Sequence, residues 1–196
     1  MSFLKIYIAS GNQDKILEIS TFFHSINIQF FSSPLPLPKE IETGYTLEEN
    51  SYLKAKYLYD HGFCPVISDD TGLFLPYLGG IPGIYSSRFA GPSATYEDNR
   101  KKLLNTVRFL PFHLRIAYFK TVICYINSEG GVYFFEGKVE GFILDEERGS
   151  NLFGYDPIFL YPPLGRTFGE LPINLKNSIS HRGKALLELK NFLLNQ

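Results

Sequence analysis

The segment Phe3-Leu4-Lys5-Ile6-Tyr7-Ile8-Ala9-Ser10-Gly11-Asn12-Gln13-Asp14-Lys15 changes periodicity midway, and the fold class follows from that change. Ile6 and Ile8 alternate with Lys5 and Tyr7 in a β-rich run, so residues 3–9 read as a short buried strand. Ser10-Gly11-Asn12 breaks the run. A helical pattern follows, with Ile16, Ile19 and Phe23 on one face. Strand, tight turn and helix together form the unit with which α/β proteins aim backbone N–H groups at an anion.

Outward from this segment the same alternation continues. A second strand is expected from Ile28 to Phe31, and Pro34 to Pro38 must be an extended loop. Thr46 to Glu49 matches a capping box, which predicts a helix from Thr46 to about His61, stopped by Gly62. Its inward residues would be Leu47, Leu53 and Tyr57, with Leu58 widening the stripe. Pro65-Val66-Ile67-Ser68 reads as a short apolar strand ending at Asp69-Asp70, with Thr71-Gly72 supplying a turn. Residues 78–91 form a glycine-rich structured loop. Thr95 to Asp98 is a second capping signature, for a helix to about Val107.

Two long strand patterns, 115–126 and 131–144, flank Asn127-Ser128-Glu129-Gly130 and predict a β-hairpin. A turn-rich stretch covers 149–163. The last helix begins near Ser178 or Ser180 and carries Leu186, Leu189, Phe192 and Leu193. Strands alternating with helices, plus one hairpin, imply α/β or α+β architecture with a mixed sheet. No repeat, low-complexity tract or linker interrupts the chain, so residues 1–196 read as one domain, or two lobes sharing a core.

Composition narrows the function classes. The 196 residues are 44% apolar and 20% charged, which argues against disorder. A formal net charge of −1 gives no general attraction to nucleic acid, so a polyanionic ligand would need a local cluster of cations. Cys64 and Cys124 stand far apart in apolar stretches and read as small buried hydrophobes. The first residues have no leader pattern, and no apolar run approaches the roughly 18 residues that span a bilayer. The expected setting is the cytoplasm, without membrane partners.

Four clusters carry candidate chemistry. The pair Asp69 and Asp70 stands where open α/β sheets bind ligands, and carboxylates there suit Mg²⁺; the alternative is a solvated turn capped by Asp side chains. Successive strand side chains point to opposite faces, so the two need either two environments or a turn. Ser10-Gly11-Asn12 with Lys15 reads as a phosphate cradle or as ordinary helix capping, and lacks P-loop spacing. Lys176 followed by Ser180-His181-Arg182-Gly183 concentrates cationic groups at a helix start, against the macrodipole. That implies an anionic or carbonyl-bearing partner, or a solvated basic patch. His181 fits a hydrogen-bond donor, a general base or a surface residue. Phe153-Gly154-Tyr155-Asp156-Pro157 offers aromatics on which a base can stack and a carboxylate to accept a base N–H, or simply an aromatic-lined turn.

The order of these motifs resembles one family. Ser10-Gly11-Asn12-Gln13-Asp14-Lys15, Glu42-Thr43-Gly44, Glu49-Asn50, Lys54-Ala55, Ser68-Asp69-Asp70-Thr71-Gly72-Leu73, the segment from Gly79 to Arg88, Phe153 to Phe159 and Lys176 to Gly183 succeed one another as in the inosine triphosphate pyrophosphatases, the Ham1-like proteins. The resemblance runs from about Ile6 to Leu194. It implies an elongated mixed sheet flanked by helices, two lobes around a central cleft, and a homodimer. The implied activity is hydrolysis of deaminated purine nucleoside triphosphates (ITP, XTP and their deoxy forms) to monophosphate and pyrophosphate. By resemblance Ser10, Asn12, Lys15 and Lys54 hold the triphosphate. Glu42 and Asp70 organise Mg²⁺, Asp70 also activates water, and Asp69 supports them. Phe153 stacks on the base, and Lys176, His181 and Arg182, with Asp156, read its edge. Thr71 and Tyr155 complete the expected substrate contacts. Gly149-Ser150-Asn151-Leu152 has fewer glycines than the family pattern, and Tyr155 stands where other members have Trp. Two alternatives remain: a Maf-like pyrophosphatase, disfavoured by Gly11-Asn12 after Ser10, and a non-catalytic nucleotide-binding protein, disfavoured by the presence of Lys15, Glu42, Lys54 and Asp70.

Overall fold

The computed structural model describes residues 4–24, 28–38 and 40–195, so Phe3 of the expected first strand lies outside the described residues. Strand β1 (Leu4–Ile8) buries Ile6 and Ile8 and exposes Lys5, as the alternation requires. Helix α1 (Gln13–Phe23) follows, and β2 (Ile28–Ser32) pairs parallel to β1. Helix α2 (Leu47–Asp60) leads into β3 (Val66–Phe74), also parallel to β1, and the two-residue β4 (Pro82–Gly83) pairs antiparallel to β3. Helix α3 (Tyr96–Val107) precedes the hairpin of β5 (Ile116–Ile126) and β6 (Val132–Ile143). Short strands β7 (Phe159–Tyr161) and β8 (Arg166–Thr167), then helices α4 (Ile173–Ile179) and α5 (His181–Leu194), complete the chain.

The strands form one open, mixed sheet in the order β2-β1-β3-β5-β6-β7-β8, with β4 on β3. The residues group into two compact units. The first comprises Met1–Asp70, Thr121–Gly137 and Ser180–Gln196, and the second Thr71–Lys120 and Lys138–Ile179. In the first, Ile6, Ile8, Ile19, Phe23, Ile67, Ile123, Leu186 and Leu189 make one apolar cluster. Ala9, Ala55, Leu58, Val66, Cys124 and Ile126 make another. Burial pushes the Cys124 thiol up to about 12, so it behaves as the buried hydrophobe expected of it. The core of the second unit is built on Leu73, Leu103, Phe119, Ile143, Phe159 and Phe168.

Three local expectations need correction. Thr71-Gly72 is not a turn: β3 runs through it without interruption from Val66 to Phe74, which places Asp69 and Asp70 inside a strand. The inward face of α2 is Leu47, Ser51, Lys54, Ala55 and Leu58, with Leu53 and Tyr57 only half-buried. The apolar stripe misled because this helix buries a lysine and two polar residues, Asn50 and Ser51. At its start Thr46 accepts from the Glu49 N–H at 3.0 Å, but the Glu49 carboxylate reaches back to the Tyr45 N–H at 2.6 Å, one residue before the cap. Ahead of α5 the chain also forms a helix that the periodicity does not announce, α4, whose single seven-residue run is too short for a stripe.

Helix α5 is set against β6 by a close backbone approach. A Cβ built on Gly137 would stand 1.9 Å from the His181 carbonyl oxygen and 2.7 Å from the Ala185 nitrogen. Glycine is therefore the residue that lets the first turn of α5, with His181 and Arg182, come down onto the strand. Gly137→Ala is expected to destabilise the protein by about 2–4 kcal/mol, measured by urea unfolding, because the backbone must separate to admit the methyl group. An unchanged midpoint would show that this contact is not close in solution.

Candidate active site

Successive residues of β3 point to opposite faces of the sheet, so Asp69 and Asp70 enter different surroundings. Both are at least 95% buried. Buried carboxylates need cations or hydrogen-bond donors, and the flanking helices of the first unit supply them.

Asp69 takes Lys15 from α1, at 3.1 Å, and Arg182 from α5, whose Nε and Nη2 donate to Oδ2 at 3.1 and 3.0 Å. Arg182 also donates through Nη1 to Glu18, a buried carboxylate one turn along α1 from Lys15. The guanidinium is 1% exposed and bridges two acidic side chains as its planar fork allows. Burial alone would raise the Asp69 carboxyl, but Lys15, Arg182 and Lys54 together hold it well below the usual carboxylate range. Burial lowers the Lys15 ammonium, and Asp69 only partly offsets it.

Asp70 takes Lys54. The Lys54 ammonium, brought in on the buried face of α2, donates at 2.8 Å to Asp70 Oδ1 and at 2.8 Å to Glu42 Oε1. Burial disfavours that charge, yet Asp70 and Glu42 outweigh it and raise its pKa above the ordinary lysine value. For the Asp70 carboxyl burial wins: it is raised, against the pull of Lys54 and Lys15. The segment carrying Glu42 is fastened to α2 by Asn50, whose Oδ1 accepts from the Gly44 N–H at 2.8 Å.

The structure thus gathers five of the residues expected at the phosphate and metal end: Lys15, Glu42, Lys54, Asp69 and Asp70. Ser10 and Asn12 lie at the start of α1. The Ser10 hydroxyl accepts from the Asn12 N–H at 3.1 Å, and Asn12 Oδ1 caps the helix by accepting from Asp14 and Lys15 N–H groups at 3.0 and 3.3 Å. The capping reading of this turn is therefore realised. Glu18 is the member that sequence reasoning missed; a glutamate placed next to Ile19 on the buried face of α1 is the signal that could have found it. His181 is buried as the first residue of α5, which Ser180 caps by accepting from the Gly183 N–H at 3.1 Å.

The other expected residues lie in the second unit. Asp156 accepts from Lys176 Nζ and from Asn151 Nδ2, the latter at 3.3 Å, and both charged partners are buried. The Lys176 ammonium stands 4.8 Å from the centre of the Phe153 ring, a cation–π arrangement, and Tyr96 meets the same ring edge-on at 5.5 Å. Tyr155 is buried, and its hydroxyl donates to the Ser86 carbonyl at 2.8 Å, so it braces the loop preceding α3. Thr71 is the next residue of β3 after Asp70 and is half-buried.

For a metal ion the chemistry of the donor set is decisive. Among the described residues no three His, Cys, Asp or Glu side chains gather into a cage. Glu42 and Asp70 do converge, through oxygen atoms, on one cationic point. Two carboxylates, with the remaining ligands from water and substrate phosphates, is how Mg²⁺ is ordinarily held. The residues present fit such an ion.

These features define an α/β scaffold with a buried cluster of acids and bases on a central strand, of the kind used on phosphorylated small molecules. The chain belongs to the Ham1 family, whose model matches residues 6–192. It is 48% identical to the dITP/XTP pyrophosphatase of Thermoanaerobacter sp. (strain X514), over 98% of each chain, and 43% identical to that of Nautilia profundicola, over 97% of each. Among solved structures it is similar to a HAM1 protein from Coxiella burnetii, with a TM-score of 0.86 at 36% identity, covering 99% of this chain and 100% of that one. It is also similar to the Staphylococcus aureus Ham1 protein, with a TM-score of 0.83 at 37% identity, covering 97% and 98%.

Glu18→Gln removes one carboxylate from a fully buried Arg182, so a loss of about 3 kcal/mol is expected, read from urea unfolding. A loss under a few tenths would mean that Asp69 alone satisfies the guanidinium.

Proposed function

We infer that this chain is a pyrophosphatase that hydrolyses deaminated purine nucleoside triphosphates, dITP and ITP, XTP and dXTP, to the monophosphate and pyrophosphate. One observation carries the reading: Asp70 and Glu42 converge on the Lys54 ammonium while Lys15 and Arg182 hold Asp69 apart on the other face of the strand. Membership of the Ham1 family and dITP/XTP pyrophosphatase relatives at up to 48% identity over nearly the full chain support it.

Charge arithmetic explains why a metal belongs in this reading. Lys15, Lys54 and Arg182 stand against Glu18, Glu42, Asp69 and Asp70, so the cluster has one more carboxylate than cation. A triphosphate would meet a site of its own sign. Pyrophosphatases of this family are generally metal-dependent, and we propose Mg²⁺ as the ion, held by Glu42 and Asp70. When bound, it supplies positive charge where the transferring phosphoryl group and the leaving pyrophosphate gather negative charge. Lys15 and Lys54, with Ser10 and Asn12 at the start of α1, hold the phosphates. Asp70 accepts the proton of the attacking water, which bonds to the α-phosphorus as the α–β bridging bond breaks. Asp69, clamped by Arg182, fixes the strand on which Asp70 sits.

Phe153 is proposed to stack on the base, Lys176 and His181, with Asp156, to read its edge, and Thr71 and Tyr155 to complete the substrate contacts. A 6-keto purine accepts at O6 where adenine presents an amino donor, so a lysine or imidazolium donor favours the keto form. Arg182 would have to exchange Asp69 or Glu18 for the base in order to read its edge. No helix among the described residues is long and apolar enough to cross a membrane. By resemblance to the family the working form is proposed to be a cytoplasmic homodimer.

The test is pyrophosphate release from ITP, XTP, GTP and ATP, with Mg²⁺ and with a chelator. The expected result is hydrolysis of ITP and XTP well above GTP and ATP, abolished by the chelator. Equal rates on ITP and GTP would sink the specificity, and full activity in chelator would sink the metal. Asp70→Asn is expected to lower turnover by at least about 10³-fold while nucleotide affinity changes little, since it removes a proton acceptor and keeps the shape. A fully active variant would remove Asp70 from the mechanism.

A further inference from the structure

Helix α3 buries two consecutive polar residues, Asn99 and Arg100, and uses each to fasten a different loop. Asn99 accepts from the Ala90 N–H at 2.7 Å and donates to the Ser87 carbonyl at 3.0 Å. Arg100, 3% exposed, donates through Nη1 to the carbonyls of Leu152 and Gly154, both at 3.0 Å, and through Nε to Glu147 at 2.9 Å. The two carbonyls it holds are those on either side of Phe153.

The backbone groups of Phe153 itself are also taken. Its N–H donates to Asn151 Oδ1 at 3.2 Å, and its carbonyl accepts from the Asp156 N–H at 3.0 Å. Gly154, at φ +52°, supplies the left-handed residue that this tight turn needs. One turn before Arg100 on the same helix, Tyr96 places its ring against Phe153. A half-buried aromatic on a loop is thereby flanked by a single helix at the carbonyls on either side of it and at its ring.

We propose that Arg100 is the positioning residue for Phe153: its guanidinium, clamped between Glu147 and the carbonyls of Leu152 and Gly154, fixes the plane on which the substrate's base stacks. The inference rests on the assignment of Phe153 to the base. Loops that are ordered only on binding charge that ordering against affinity, whereas a pre-set ring does not. Arginine suits the task because its rigid fork reaches two carbonyls and a carboxylate at once, which a lysine ammonium cannot match in geometry.

The full-length protein carries the test, in Arg100→Met, Arg100→Lys, Phe153→Ala and the double variant Arg100→Met/Phe153→Ala. Steady-state hydrolysis of ITP and competitive inhibition by pyrophosphate, which has no base, are measured for each. Arg100→Met is expected to raise KM for ITP about tenfold with kcat changed less than about twofold, Arg100→Lys to fall between it and the parent, and pyrophosphate inhibition to stay the same. The double variant should be no worse than the weaker-binding single variant, because both changes remove one stacking surface. A merely destabilising change would lower the active fraction, and so the apparent kcat, without moving KM. If Phe153→Ala raises KM and neither Arg100 variant does, the positioning role falls and the base assignment stands. If Phe153→Ala itself leaves KM unchanged, the base assignment falls and the positioning role with it. Effects that multiply in the double variant would place the action of Arg100 elsewhere and overturn the proposal. Should Arg100→Met fail to accumulate as folded protein, Arg100→Lys decides by the same measurements.

Discussion

Two consecutive acidic side chains shut away from water on one strand must each find a cation, and the first unit of this protein is arranged around that need. Lys15 and Arg182 reach Asp69, while Lys54 reaches Asp70 and Glu42. Each cation comes from a different helix, so α1, α2 and α5 are all tied to β3 by charge as well as by the apolar clusters beneath them. Burying so many ions gains little net stability, because the desolvation of each is recovered only when its partners are in place. What the arrangement supplies is position. A helix displaced by a few ångströms would strand a charge, so the native placement is sharply preferred over its near neighbours.

The same constraint separates the two acids chemically. Asp69 is held below the usual carboxylate range by two close cations, while Asp70, with one lysine shared with Glu42, is shifted the opposite way. Identical residues in adjacent positions are pushed in opposite directions, Asp70 upward by burial and Asp69 downward by its cations, through environment alone. In the second unit a further buried pair, Asp156 and Lys176, neutralises itself in the same way.

Much of the fold was legible because its signals are local. The alternation of Ile6 and Ile8, the Thr46 and Thr95 caps and the hairpin turn at Asn127 each depend on a few neighbouring residues, and each element stands where it was expected. The misreadings share a cause. Thr71-Gly72 resembles a turn because its composition is that of turns, yet the strand continues. Leu53 and Tyr57 looked inward because apolar residues usually do, but α2 turns Lys54 and Ser51 inward to serve a strand distant in sequence. Glu18 and Arg182 lie 164 residues apart, and no local pattern can pair them. The helix-start charge of Arg182 implies an anionic or carbonyl-bearing partner or a solvated patch, and Glu18 and Asp69 are anions that the fold itself supplies to it. The gathering of Lys15, Glu42, Lys54 and Asp70 was legible only through the order of the motifs, since nothing in their spacing specifies a common point.

The alternation of β3 has a genetic corollary. Side-chain direction on a strand is a matter of odd and even positions, so Asp69 and Asp70 are told apart by parity and by nothing in their own chemistry. An insertion of one residue between Val66 and Ser68 would carry Asp69 to the place now held by Asp70 and push Asp70 a step further along, onto the other face. The acid now braced by Arg182 would then face Lys54, and the guanidinium would lose the carboxylate at its own level of the strand. Such a change is almost silent in amino-acid content, yet it undoes the wiring of the centre. The length of this short apolar stretch should therefore be held more strictly than the identity of any one residue in it.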